Sequence, residues 1–318
     1  MQFTIIDGKE VQADLDAGAP TRFNSNFHTA AQAPDLTIPL HDPYSFDRWL
    51  PLIQRSRNLQ PSSVQVVCLS RAQVAVVVRA MSAAVHTRVP SRAYAEDLED
   101  EVTGYLRERL NFPAEGLFLR LSACSPKDGV GPRADPCGAL HSVEDVLLQL
   151  TTSLRAWSAL NNMLNDAARQ EEPLYFLPFD ARMGSEREYR VFCPPRSLRI
   201  AAVSQYRWHK PWVFAGDGQG VEEMEAQARM ILAGIREVHA QIMTDLAEPG
   251  TNQLDDLARA QGFCFDVLYD QVTDGCVLVE LNTFGVRSAC GSCLFHWLRD
   301  RDLLYGQKQD DVEFRVVV

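Results

Sequence analysis

The stretch GFCFDVLYDQVTDGCVLVELNTFG, residues 262–285, sets apolar side chains in alternation with acids and an amide on either side of a Thr-Asp-Gly turn. Such alternation between bounding glycines predicts two antiparallel strands, and so a sheet with two unlike faces. Register decides which residues share a face. A two-residue Asp274-Gly275 turn pairs Tyr269 with Glu280 and Val267 with Asn282, which mixes acids and aromatics on both sides. A three-residue Thr273-Asp274-Gly275 loop, with Gly275 in the left-handed region, pairs Asp266 with Asn282 and Leu268 with Glu280. This second register is the expected one, because it sorts the strands. Phe263, Phe265, Val267, Tyr269, Val277, Val279 and Leu281 face a core, while Asp266, Asp270, Glu280 and Asn282 gather on the other side.

Three oxygen-bearing side chains within reach of one point, Asp266, Glu280 and Asn282, suit a hard divalent cation such as magnesium, whose remaining ligands are commonly substrate phosphates. The plainer reading is a wet sheet face that happens to carry acids. Leu268 and Leu278 on that face argue for partial cover. A phosphate partner decides between the two.

The chain has 318 residues, 46% hydrophobic, with a net charge of −11 and a pI near 5.1. That is enough apolar material for a sizeable core and two lobes, and the charge argues against nucleic acid or an anionic membrane as partner. The first residues, MQFTIIDGKEVQADLDAG, lack the basic and apolar regions of a signal peptide, and no apolar run reaches spanning length, so a cytoplasmic protein is expected. Cysteines at 68, 124, 137, 193, 264, 276, 290 and 293 lie mostly in apolar segments, as reduced thiols do. Cys290-Gly-Ser-Cys293 has a redox or half-zinc spacing, but it lacks a second CxxC, a histidine pair or a thioredoxin-like context.

Residues 1–60 form a segment rich in Pro, Asp and Ser with a short helix at FDRWLPLI. An amino-terminal lobe is expected over 61–176. VQVVCLS reads as a strand, AQVAVVVRAMSAAV as either helix or strand, SRAYAEDLEDEVTGYLRERLNF as helix and LFLRLS as a strand; one helix capped by Ser142 follows, then the strand LYFLPFD, broken by Pro178. A carboxy-terminal lobe over 177–318 holds the hairpin REYRVF and LRIAAVSQYRW, a long helix from Val221 to Leu246, the acid-bearing hairpin and a short helix at LFHWLRD. Without a regular βαβ rhythm, the fold class expected is α+β, in two lobes with mainly antiparallel sheets.

LFLRLSACSPKDG supplies cations: Arg120 sits mid-strand opposite Leu117, Leu119 and Leu121, and Lys127 lies in the following turn. Each alone reads as an ordinary edge or turn residue. REYRVF repeats the arrangement, with Glu188 and Arg190 on one strand face beside Phe192, and Gln205 in the neighbouring strand. AGDGQG before the long helix fits neither the P-loop nor the dinucleotide fingerprint and reads as a linker. The dispersed histidines show no catalytic or metal-ligand spacing.

In order along the chain, LRLSACSPKDG, EYRVF, AAVSQ, FCFDVLY and VELNTFG…LFHW resemble the cell division cycle protein 123 family over roughly residues 117–298. The resemblance implies an ATP-grasp fold with ATP and magnesium held in a nucleotide cleft. It places Arg120, Ser122 and Lys127 on the phosphates, Leu177 and Phe179 at the adenine hinge, Glu188, Arg190 and Gln205 along the nucleotide, and Asp266, Glu280 and Asn282 on magnesium. Arg120 stands where the family has Lys, Glu280 where it has Asp, and Thr283 where it has Pro. By resemblance the protein is an ATP-binding assembly chaperone whose partner is the gamma subunit of translation initiation factor 2. The alternative is an ATP-grasp ligase that activates a carboxylic acid for an amine through an acyl phosphate. A nucleotide-free scaffold with solvated charged faces is the third.

Overall fold

The computed structural model describes residues 1–18, 21–132, 138–216, 218–246, 248–307 and 311–318; Cys137 and Asp217 of the linker lie outside them. Its strands are β1 Gln2–Ile6, β2 Gln65–Ser70, β3 Leu117–Leu121, β4 Glu171–Pro178, β5 Glu188–Cys193, β6 Ala202–Gln205, β7 Phe263–Asp270, β8 Gly275–Thr283 and β9 Glu313–Val317. The α-helices are α1 Gly8–Asp16, α2 Phe46–Ser56, α3 Arg71–Thr87, α4 Ala95–Leu98, α5 Gly104–Arg107, α6 Val143–Thr151, α7 Leu154–Asn165, α8 Val221–Asp245, α9 Gln253–Gln261 and α10 Arg301–Leu304. Among the described residues no helix is long and apolar enough to cross a membrane. The chain divides into two units, one of Met1–Asn58 with Arg182–Val318, the other of Leu59–Ala181.

The Leu59–Ala181 unit is an antiparallel sheet in the order β2-β4-β3 with helices packed on it. Its ambiguous valine-rich segment is a helix because its start is doubly fastened. Ser70 accepts the Gln73 N–H at 3.3 Å while the Gln73 side chain accepts the Ser70 N–H at 2.9 Å, a capping box that a strand cannot use. Val74, Val77, Met81 and Ala84 then fall on one buried stripe of α3.

The single helix expected from Ser142 is instead two. Ser142 does cap α6, but α6 stops at Thr151 and α7 begins with its own cap, Ser153, which accepts the Ala156 N–H at 3.0 Å. Asp128 imposes the break: its carboxylate accepts from Ser153 Oγ at 2.5 Å and from the N–H groups of Leu154 and Arg155 at 2.9 and 3.2 Å. A carboxylate at a helix N-terminus is favourable there, and this one comes from a turn distant in sequence. Gly129 lets that turn approach, since a Cβ there would lie 2.1 Å from the Gln149 carbonyl oxygen.

The other unit holds a six-stranded sheet in the order β1-β9-β6-β5-β7-β8. Its β6-β5-β7-β8 part is antiparallel as expected, but the sheet as a whole is mixed, because the last strand inserts between the first and β6 and runs parallel to both. Helix α8 carries the expected stripe of Met224, Ala228, Ile231, Ile235, Val238 and Ile242, all buried, and packs on β7 and β8. Gly234 permits this, for a Cβ there would meet the Cys276 backbone nitrogen at 2.9 Å. The helix expected at LFHWLRD is a series of turns, and regular helix starts only at Arg301.

The β7–β8 register differs from both expected pairings. Phe263 faces Thr283, Cys264 faces Asn282 and Asp266 faces Glu280; after a bulge at Val279, Val267 faces Leu278 and Asp270 faces Gly275. The loop is four residues long, Gln271 to Asp274, and the left-handed residue is Asp274, at φ 52°, rather than Gly275. A bulge inserts one residue and so reverses the side-chain alternation beyond it. Leu278 is therefore fully buried with Val267, while Val277 and Val279, expected in the core, are half-exposed.

Candidate functional site

One face of the six-stranded sheet carries a polar row at a single register level. Thr4 of β1 lies beside Arg315 of β9, then Ser204 of β6, Arg190 of β5, Asp266 of β7 and Glu280 of β8. Asn282 is two residues from Glu280 and shares its face. The acids thus gather as the alternation predicted, through a different pairing. This face is not wet, however: Asp266 is 0% exposed and Glu280, Arg190 and Glu188 are at 7, 7 and 5%.

Asp266 is gripped by Arg190. Nε donates to Oδ1 at 2.9 Å and Nη2 to Oδ2 at 2.7 Å, a two-pronged charge-assisted pair, and Nη1 donates to the Gly291 carbonyl at 2.8 Å. Burial opposes the charge on Arg190, but the Asp266 carboxylate outweighs it and lifts the guanidinium pKa well above its ordinary value. The Asn282 amide then donates to Asp266 Oδ2 at 3.2 Å and to Glu280 Oε1 at 3.3 Å, tying the two carboxylates together.

Residues 286–297 cover the middle of the row. Besides Gly291, Leu294 donates its N–H to Ser204 Oγ at 3.1 Å and accepts from Arg315 Nη1 at 3.2 Å. Residues 24–28 hold that cover in turn: Asn24 N–H reaches the Cys293 carbonyl at 2.7 Å, Phe27 N–H the Ser288 carbonyl at 2.9 Å and Ser25 Oγ accepts the Trp297 N–H at 2.8 Å. Tyr206 belongs to the site although nothing in the sequence singled it out. Its ring lies 5.0 Å from the Arg190 guanidinium carbon, and burial raises its pKa, with Arg190 lowering and Asp266, Glu188 and Glu280 raising it. Its position two residues beyond Ser204 on a strand end was the only available signal.

As donors, Asp266, Glu280 and Asn282 are hard oxygen ligands for magnesium, and rotating the Asn282 amide half a turn offers Oδ1 to the place its NH₂ now fills. Among the described residues no group of three or more His, Cys, Asp or Glu forms a metal cage. Two carboxylates and one amide fit a cation that takes its other ligands from elsewhere, as magnesium does with phosphates.

The remaining expected residues occupy varied settings. Glu188 starts β5, opposite Leu268. Gln205 is a strut: its Nε2 donates to the Arg207 and Lys210 carbonyls at 2.9 and 2.7 Å and its Oε1 accepts the Val317 N–H at 2.9 Å, so its carboxamide is committed to the backbone. In the Leu59–Ala181 unit, Arg120 is buried in β3 opposite Tyr175, Ser122 is half-buried just past that strand, and Lys127 is exposed on the turn anchored by Asp128. Leu177 is buried in β4 opposite Phe118, and half-buried Phe179 donates its N–H to the Gly116 carbonyl at 3.0 Å.

No protein-family model and no curated protein matches the sequence. Among solved structures the chain is similar to Cdc123 from Schizosaccharomyces pombe, with 18% identity and a TM-score of 0.55 over 89% of this chain and 100% of that one. It is also similar to a C-terminally truncated Cdc123 from the same organism, with 17% identity, a TM-score of 0.55 and 99% of each chain covered. At such identity the likeness is one of fold, and it extends well past the residues that carried the sequence resemblance. The chain has the α+β fold of Cdc123.

Proposed function

We propose that the protein binds ATP with magnesium and acts, like the family its motifs resemble, as an assembly chaperone for a protein complex, with the gamma subunit of translation initiation factor 2 as the partner to test first. The observation that carries this reading is the Asn282 amide bridging Asp266 and Glu280, two buried carboxylates that nonpolar packing alone gives no reason to keep. Asp266, Glu280 and Asn282 hold the metal, which supplies charge neutralisation to the phosphates. Arg190 fixes the Asp266 carboxylate, and Glu188 lies beside the pair. Arg120, Ser122 and Lys127 take the phosphates, and Leu177 and Phe179 flank the base. The fold alone does not assign these roles, since one fold hosts many functions.

Calorimetric titration with ATP, with and without magnesium, is the test. Magnesium-dependent binding is expected in the native protein, weakened about tenfold or more by Glu280→Gln, which leaves the Arg190–Asp266 pair in place. Lys127→Ala is expected to weaken ATP binding with or without the metal. Native protein that binds ATP equally well without magnesium removes the metal assignment, and protein that binds no ATP removes the reading altogether. Release of ADP on adding pooled amino or carboxylic acids replaces the chaperone by the ligase.

A further inference from the structure

Away from the polar row, within the unit of Met1–Asn58 and Arg182–Val318, lies a cleft of about 440 Å³ whose walls include Asn24, Asn26, Phe27, His28, Gln32 and His296. That is the size of a small-molecule site. Its main wall is fastened at both ends. The Asp14 carboxylate accepts the backbone N–H groups of Thr21, Arg22 and Phe23 at 2.8, 3.1 and 3.1 Å, and the His28 N–H bonds to the Val286 carbonyl at 3.2 Å. Such a wall needs little ordering when a ligand arrives. Between the anchors Phe27 is held at φ 48° and is 66% exposed. A large apolar residue in the left-handed region is an outlier, and such strain collects at ligand clamps.

The cleft offers neutral donors and acceptors. Among the described residues its lining contains no Lys, Arg, Asp or Glu. His296 accepts the N–H groups of Leu298 and Arg299 on Nδ1, at 3.2 and 3.3 Å, so the proton of its neutral ring sits on Nε2. That nitrogen donates and does not ligate a metal. The His28 and His296 rings lie 5.3 Å apart, centroid to centroid, and burial favours the neutral form of both. His28 Nε2 is buried with no hydrogen-bond partner, a state that folded chains rarely keep. Asn24 Oδ1 and Gln32 Oε1 are spent on the N–H groups of Cys293 and Thr29, at 3.2 and 3.0 Å, and these bonds leave the two NH₂ ends to donate elsewhere.

We propose that this cleft binds a sugar, a small neutral ligand rich in hydroxyl groups, with the C–H face of its ring on Phe27 and one hydroxyl between His28 and His296. A hydroxyl both donates and accepts, so it takes the His296 Nε2–H and, as the His28 ring turns toward it, gives the unpaired His28 nitrogen a partner. Other ligand classes fit less well. An anion finds no cation in the lining, a cation finds no carboxylate, and a wholly apolar ligand strands the imidazoles and amides. A sugar matches both parts, its apolar face the exposed aromatic ring and its hydroxyl edge the amides. None of these residues belongs to the ATP reading, and the proposal stands apart from it.

The full chain, labelled with ¹³C in its histidine rings, is titrated with glucose, galactose, maltose and, separately, inorganic phosphate while the ring signals are followed by NMR. His28→Gln and His296→Gln assign the two signals. With at least one sugar, saturable shifts of both rings are expected, half complete below about 10 mM. Phe27→Ala removes an exposed side chain, so the fold is kept, and it should weaken that binding about tenfold or more. Rings that stay unmoved at about 100 mM of every sugar, rings that answer phosphate and no sugar, or Phe27→Ala binding as tightly as the native protein overturns the proposal.

Discussion

Asp266→Ala isolates the interaction that organises the polar row. The substitution removes both acceptors of the Arg190 fork, at 2.9 and 2.7 Å, and leaves a guanidinium at 7% exposure with the Gly291 carbonyl still bound. Breaking a buried pair from one side costs about 3–5 kcal/mol, mostly because the surviving charge stays buried. A unit the size of Met1–Asn58 with Arg182–Val318 melts about 2–4 °C lower per kcal/mol, so the melting temperature of that unit should fall by about 6–20 °C. Replacing both partners, Arg190→Met with Asp266→Leu, removes the stranded charge and should recover most of the loss, since the ion pair itself only roughly offsets its desolvation. The assay is thermal and urea unfolding of the native, two single and double variants at neutral pH, combined as a double-mutant cycle. A drop of less than about 2 °C for Asp266→Ala, or a double variant no better than the single, refutes the reasoning.

Three further outcomes follow from the same contacts. Arg57 covers the open edge of β8 at its bulge, donating to the Leu278 and Val279 carbonyls at 2.8 and 3.1 Å; Arg57→Ala should lower the urea midpoint by an amount equal to about 1–2 kcal/mol and increase light scattering on concentration, as an uncapped edge strand does. His28, His41, His209, His239 and His296 all have pKa values lowered from 6.5, in each case chiefly by burial. The unfolded chain therefore binds more protons than the folded one as pH falls below about 7, so the stability these groups contribute is present above 6.5 and lost through their folded pKa values; a urea midpoint at about pH 5.5 equal to or above that at about pH 7.5 contradicts this. A Cβ on Gly291 would lie 2.3 Å from Asn24 Oδ1, which accepts the Cys293 N–H, so Gly291→Ala should displace Asn24, cost about 1 kcal/mol and speed amide exchange over residues 286–295.

Local chemistry alone was enough for much of the fold: the stripe of α8, the Ser142 cap, the strand around Arg120 and the gathering of Asp266, Glu280 and Asn282 on one face. Each of these depends on spacing within a few residues, where period and capping rules act directly. Tertiary structure decided the rest. The bulge at Val279 trades regular pairing for a β8 edge that Ser56 and Arg57 can bind, and those residues lie more than two hundred positions away. The break between α6 and α7 depends on Asp128, from a turn that no helix periodicity reports. Arg190 reaches Asp266 across a separation of 76 residues, and β9 slips between two earlier strands. Alternation specifies which side of a strand an acid occupies, but only the packed chain settles what lies over that side, and here the backbone carbonyls of Gly291 and Leu294 reach the arginines of the row and Arg190 and Asp266 are a buried ion pair.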